Sequence, residues 1–76
     1  MAVEILLLQV GPSNEEGRLV RCLAGDGEKV IEGQPLFAVE YRGDLHDIEA
    51  PGTGTLKISA AVGTTYEVGT VLGYIE

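Results

Sequence analysis

Apolar and polar residues alternate in short stretches along this chain, and glycine or proline interrupts every one of them. The alternation is imperfect over Arg18-Leu19-Val20-Arg21-Cys22-Leu23 and clearer over Leu36-Phe37-Ala38-Val39, where one face must meet a core. No window of ten or more residues keeps a 3.6-residue apolar period free of Gly or Pro. The pattern therefore predicts strands over 17–23, 35–40, 54–60 and 71–75, and no helix. Residues 39–51 read as two further strand segments joined by a tight turn.

The second half of the chain repeats the first. Gly27, Gly33, Leu36 and Val39 recur 36 residues later as Gly63, Gly69, Leu72 and Ile75, and Gly17 and Leu19 recur 37 residues later as Gly54 and Leu56. A one-residue difference in a loop accounts for the change of offset. Each copy is strand, glycine turn, strand, and glycine suits such turns because it reaches positive φ without steric cost. Neither copy can bury its own apolar face, so the two are expected to pack together with pseudo-twofold symmetry. Leu19, Val30, Leu36, Val39, Ile48, Leu56, Leu72 and Ile75 are the predicted core. Gly17, Gly33 and Gly69 are expected at strand starts or turns with little steric room.

Length and charge narrow the picture. Seventy-six residues make one small domain, 1–76. Five Lys and Arg stand against twelve Asp and Glu, a formal net charge of −7. That balance argues against nucleic acid, whose phosphates call for cations, and against anionic membrane surfaces. It suits a soluble monomer. Cys22 is the one cysteine, which leaves no intrachain disulfide or cysteine-rich metal site and fits a reducing, cytoplasmic setting. The apolar run from Val3 to Leu8 is broken by Glu4 and is far too short to span a membrane.

Several motifs in order resemble the lipoyl/biotinyl-carrier family. They are Glu4-Ile5-Leu6-Leu7 followed by Gly11, Glu16-Gly17-Arg18-Leu19-Val20, Gly25-Asp26-Gly27 continuing to Gly33-Gln34-Pro35-Leu36, Ile48-Glu49-Ala50-Pro51 with Gly54-Thr55-Leu56, and Val62-Gly63 through Val68-Gly69, Leu72-Gly73 and Ile75. Each piece is weak alone, and the ordered set covers almost the whole chain. The resemblance implies an all-β flattened barrel or sandwich of two four-stranded antiparallel sheets, the lipoyl-like barrel-sandwich hybrid. It looks closer to the lipoyl domains of 2-oxoacid dehydrogenase acyltransferases than to biotinyl domains, which flank their lysine with methionine; the sole Met here is Met1.

The family places its modified lysine eight residues before the proline of the Ala-Pro step. Eight before Pro51 is Gly43. Arg42 beside it stays protonated and does not acylate, and Lys29 and Lys57 lie away from this turn. The resemblance thus implies a lipoate or biotin cofactor, while the residue at the acceptor position implies none. The expected function is a non-catalytic, lipoyl-like protein-interaction module. Two alternatives stand beside it: a lipoyl or biotinyl carrier of a dehydrogenase or carboxylase complex whose lysine was lost or replaced, and an adhesion ligand using Arg42-Gly43-Asp44. Tyr41, Arg42, Gly43, Asp44, Leu45 and His46 are the candidate contact residues. Family surfaces after the first strand add residues 9–16. An exposed apex is expected to accept Gly43→Lys for no more than about 1 kcal/mol, unless its φ is positive.

The remaining candidates have plainer readings. His46 near Asp44 and Asp47 is an exposed strand residue before it is a metal ligand or base. Cys22 is a small buried hydrophobe. Glu15, Glu16 and Glu28 are solvated turn charges. Tyr66 and Tyr74 are packing residues with wet hydroxyls, and Tyr41, next to the tip, is the exception to test as a contact residue.

Overall fold

The computed structural model describes residues 2–8 and 15–76. Eight strands follow one another: β1 (Val3–Leu6), β2 (Glu16–Cys22), β3 (Lys29–Val30), β4 (Pro35–Tyr41), β5 (Asp44–Glu49), β6 (Gly54–Ile58), β7 (Thr65–Glu67) and β8 (Val71–Ile75). They make two four-stranded sheets, ordered β1-β8-β6-β3 and β5-β4-β2-β7, with every pairing antiparallel. The all-β sandwich expected from the pattern is what the chain forms.

β4 buries Leu36, Phe37, Ala38, Val39 and Tyr41, so both of its faces are covered along 36–39, where alternation predicted one, and all eight predicted core residues are buried. Ile5, Leu7 and Ala50 join them. Each fully buried Leu or Ile contributes about 1.5–3 kcal/mol relative to exposure.

The sequence repeat is a repeat of hydrogen bonds. Gly27 N–H donates to Leu56 O as Gly63 N–H donates to Leu19 O, both at 2.7 Å. Leu56 N–H to Glu28 O matches Leu19 N–H to Thr64 O. Gly33 N–H to Ala50 O matches Gly69 N–H to Leu7 O, and Ala50 N–H to Gln34 O matches Leu7 N–H to Thr70 O. The pseudo-twofold therefore exchanges β1 with β5, β2 with β6, β3 with β7 and β4 with β8. It also makes the paired chain ends of β1 and β8 the counterpart of the β4–β5 hairpin. The paired turn glycines carry paired angles: φ is 85° and 90° at Gly27 and Gly63, and 89° and 91° at Gly33 and Gly69.

Three expectations need correction. Strands predicted to reach residues 23 and 60 stop at Cys22 and Ile58; Ser59 and Ala60 both donate to the single carbonyl of Leu72, which ends the regular ladder. β3 and β7 fall in stretches for which the pattern predicts no strand. Gly33 and Gly69 are not crowded, since a Cβ on either would meet open space; their positive φ is what calls for glycine.

Of the three glycines expected to lack room, Gly17 is the crowded one. A Cβ there would lie 2.8 Å from both Tyr41 Cε1 and Val39 Cγ1. Gly17→Ala should therefore overpack the β2–β4 face and lose about 1–3 kcal/mol, read as a lowered urea midpoint. An unchanged midpoint would mean that the Tyr41 ring can move aside freely.

Candidate functional site: the hairpin tip and its neighbouring cleft

β4 and β5 pair from Pro35↔Glu49 to Tyr41↔Asp44, leaving only Arg42 and Gly43 to make the turn. Their φ values are 50° and 88°. Positive φ at both central residues is the signature of a type I′ turn, whose twist matches the strands it joins. Gly43 has open space where a Cβ would go, so backbone angle and not crowding favours glycine there. The condition set on Gly43→Lys is therefore met: φ is positive, and a lysine at this angle is strained.

Arg42, Gly43, Asp44, Leu45 and His46 are all exposed at or beside the tip. Tyr41 is not. It is only 2% exposed and belongs to the core cluster, so its ring supports the tip from beneath and cannot be part of a contact surface. It makes a T-shaped contact with the His46 ring, with centroids 5.6 Å apart and planes at 73°. The Tyr41 hydroxyl is buried with no hydrogen-bond partner among the described residues. Burial pushes its pKa up; the nearby Leu8 main chain opposes that shift in part without forming a bond of ordinary geometry. The alternation Phe37, Val39, Tyr41 was the signal in the sequence that could have placed this ring inside.

A cleft of about 430 Å³ adjoins the tip, lined by Glu15, Glu16, Gly17, Arg18, Glu40, Arg42 and Thr65. Its twofold counterpart, of about 320 Å³, is lined by Lys29, Val30, Ile31, Thr53, Gly54 and Thr55. The positions correspond: Gly17 with Gly54, Arg18 with Thr55, Thr65 with Lys29. The chemistry does not. Five charged side chains line the cleft beside the hairpin, and one lines its counterpart. Of the predicted contact segment 9–16, residues 9–14 lie outside the described residues, and Glu15 and Glu16 belong to this cleft.

The other candidates fall elsewhere. Lys29 is in β3 and Lys57 in β6, so neither amine stands on a hairpin apex. Cys22 is half-buried against the core, and burial raises its thiol pKa. Glu28 is more than a solvated charge, since its Oε1 accepts from Gly25 N–H at 3.2 Å and closes the first turn. Asp26 Oδ1 accepts from Ile58 N–H at 2.8 Å, tying that turn to β6. Among the described residues, no three His, Cys, Asp or Glu side chains group closely enough to hold a metal ion.

Comparison with known proteins agrees with the geometry. The biotin/lipoyl family described as "Biotin-requiring enzyme" matches residues 3–75. The chain is also similar to the pyruvate dehydrogenase E1 component subunit beta of Rhizobium meliloti (strain 1021), at 37% identity over 65 residues. That match covers 84% of this chain and 14% of the relative. With the family matched along nearly its whole length, and with a twofold sandwich presenting a tight hairpin, this chain belongs to the biotin/lipoyl attachment-domain family.

Proposed function

We propose that this domain does not carry lipoate or biotin and acts instead by protein contact through its hairpin tip and the charged cleft beside it. The observation that carries the reading is Gly43. It occupies the position of the family's acceptor lysine, and its φ of 88° builds glycine into the turn. A carrier needs one nucleophilic amine on a rigid apex; here the apex offers a guanidinium and a glycine. The domain then has no reaction of its own and needs no cofactor.

The contact surface consists of Arg42, Gly43, Asp44, Leu45 and His46 with the cleft residues Glu15, Glu16, Arg18 and Glu40. Mixed charges of both signs fix the register of a partner more than they raise affinity. The partner class follows from the relative: an enzyme of the 2-oxoacid dehydrogenase type. In that role the domain works in the cytoplasm, as a monomer until it meets its partner.

Co-expression with a lipoate ligase plus lipoate, and separately with a biotin ligase plus biotin, tests the reading. Intact mass should show the unmodified chain in both cases. Lipoyl or biotinyl mass on the parent, at Lys29 or Lys57, would overturn it.

A further inference from the structure

The pseudo-twofold axis runs through a third groove, of about 250 Å³, between the edge strands β1 and β5. Ile5 and Ile48 are twofold mates, both buried, and form its floor. Leu6 and Leu8 stand on the β1 wall, 40% and 53% exposed. Their twofold mates on the opposite wall are Glu49 and Pro51. The fold therefore accepts a carboxylate and a proline at the same two positions, and stability of the sandwich does not account for two exposed leucines there.

Charge gives the groove a direction. Its lining holds Glu4 and Glu49 and no cation. The nearest base across the sheet is Lys57, two strands from Glu4 through Tyr74. Both walls are also sheet edges: β1 pairs only with β8 and β5 only with β4 among the described residues. A free edge is usually guarded by charged side chains. β5 is guarded by Asp44, Asp47 and Glu49, whereas β1 carries Glu4 alone among Val3, Ile5 and Leu6.

We infer that this groove docks an extended partner segment with apolar side chains at alternate positions and lysine or arginine between them. Its main chain adds to the β1 edge, its apolar side chains lie on the outer face over Leu6 and Leu8, and its cations, on the opposite face, meet Asp47 and Glu49 of β5. The surface is separate from the hairpin tip and requires nothing of Gly43, so it goes beyond the reading given above.

Titration of the ¹⁵N-labelled domain with a short capped peptide alternating leucine and lysine tests this. Amides of residues 3–6 and 47–49 should shift saturably and gain exchange protection. The double variant Leu6→Ser, Leu8→Ser should weaken binding about tenfold or more; both leucines are exposed, so an unchanged circular dichroism spectrum confirms that the fold survives. Arg42→Ala should bind the peptide as the parent does. A peptide with serine in place of leucine should not bind. Equal binding by that serine peptide would reduce the effect to charge alone and overturn the proposal. So would an unaffected leucine variant, or the absence of saturable shifts. Loss of binding in Arg42→Ala would move the site to the hairpin and leave the groove without a ligand.

Discussion

Leu36→Ala and Leu72→Ala should each destabilise the domain by about 2–5 kcal/mol. Both side chains are fully buried. They are twofold mates, on β4 and β8, the second strand of each sheet. Each also sits where a carbonyl collects loop amides: Leu36 O accepts from Leu23 N–H at 2.7 Å, and Leu72 O from Ser59 and Ala60 N–H at 2.9 and 3.1 Å. Such backbone bonding limits how far the chain can collapse into the cavity that alanine leaves, which pushes the loss toward the upper part of the range. At roughly 0.05–0.15 kcal/mol per residue, a chain of this length has only about 4–11 kcal/mol in total. Either variant should therefore be largely unfolded under mild denaturant. Ile31→Ala is the control, since Ile31 is exposed, and it should change stability by no more than about 0.5 kcal/mol. Urea midpoints of the three variants decide the matter. A loss below 1 kcal/mol at Leu36 or Leu72 would contradict the twofold core.

The sequence made the halves of this fold visible because backbone angle, not side-chain chemistry, restricts the turn positions. Gly27, Gly33, Gly63 and Gly69 all hold φ near 90°, so their spacing stands out as a repeat. The eight predicted core residues are large apolar side chains in short strands, and all of them are buried. What stayed hidden has physical causes too. β3 and β7 are two and three residues long, held by pairing to β6 and β2 and not by any local pattern. The relation of Ile5 and Leu7 to Ile48 and Ala50 is a faint part of the repeat, since Leu and Ala share burial but not size. At the site, the tight turn at Gly43 between two strands was legible, but its turn type was not. Arg-Gly lacks the Asn or Asp that usually announces a type I′ turn. Tyr41 was misplaced because its closeness to the tip outweighed its alternation with Val39. The charged cleft joins β2, β4, β7 and the turn, elements that only the folded sheet brings together.

Two lysine variants at the tip should separate the strain of the turn from recognition by a modifying enzyme. Gly43→Lys puts an amine eight residues before Pro51, but at a φ of 88°. A left-handed backbone costs a residue with a Cβ about 1–2 kcal/mol, and nothing nearby clashes with the new side chain. Stability should fall by that amount, with hairpin amides exchanging faster and the core unchanged. Arg42→Lys keeps the positive charge and the existing φ of 50°, so its stability should match the parent within about 0.5 kcal/mol. The order should reverse with a lipoate ligase. An enzyme that reads a lysine at a fixed hairpin register should modify Gly43→Lys, whose amine holds the family position, and leave Arg42→Lys bare, one residue out of register. Intact mass reports modification, and urea titration reports strain, on the same two proteins. If Gly43→Lys is as stable as the parent, the type I′ turn does not depend on glycine. If it is strained but never modified, more than one residue separates this tip from a carrier, and Glu40, Asp44 and His46 become the positions to change next. Modification of Arg42→Lys alone would show that turn geometry, not distance from Pro51, sets the acceptor position, and would remove the ground for assigning that position to Gly43.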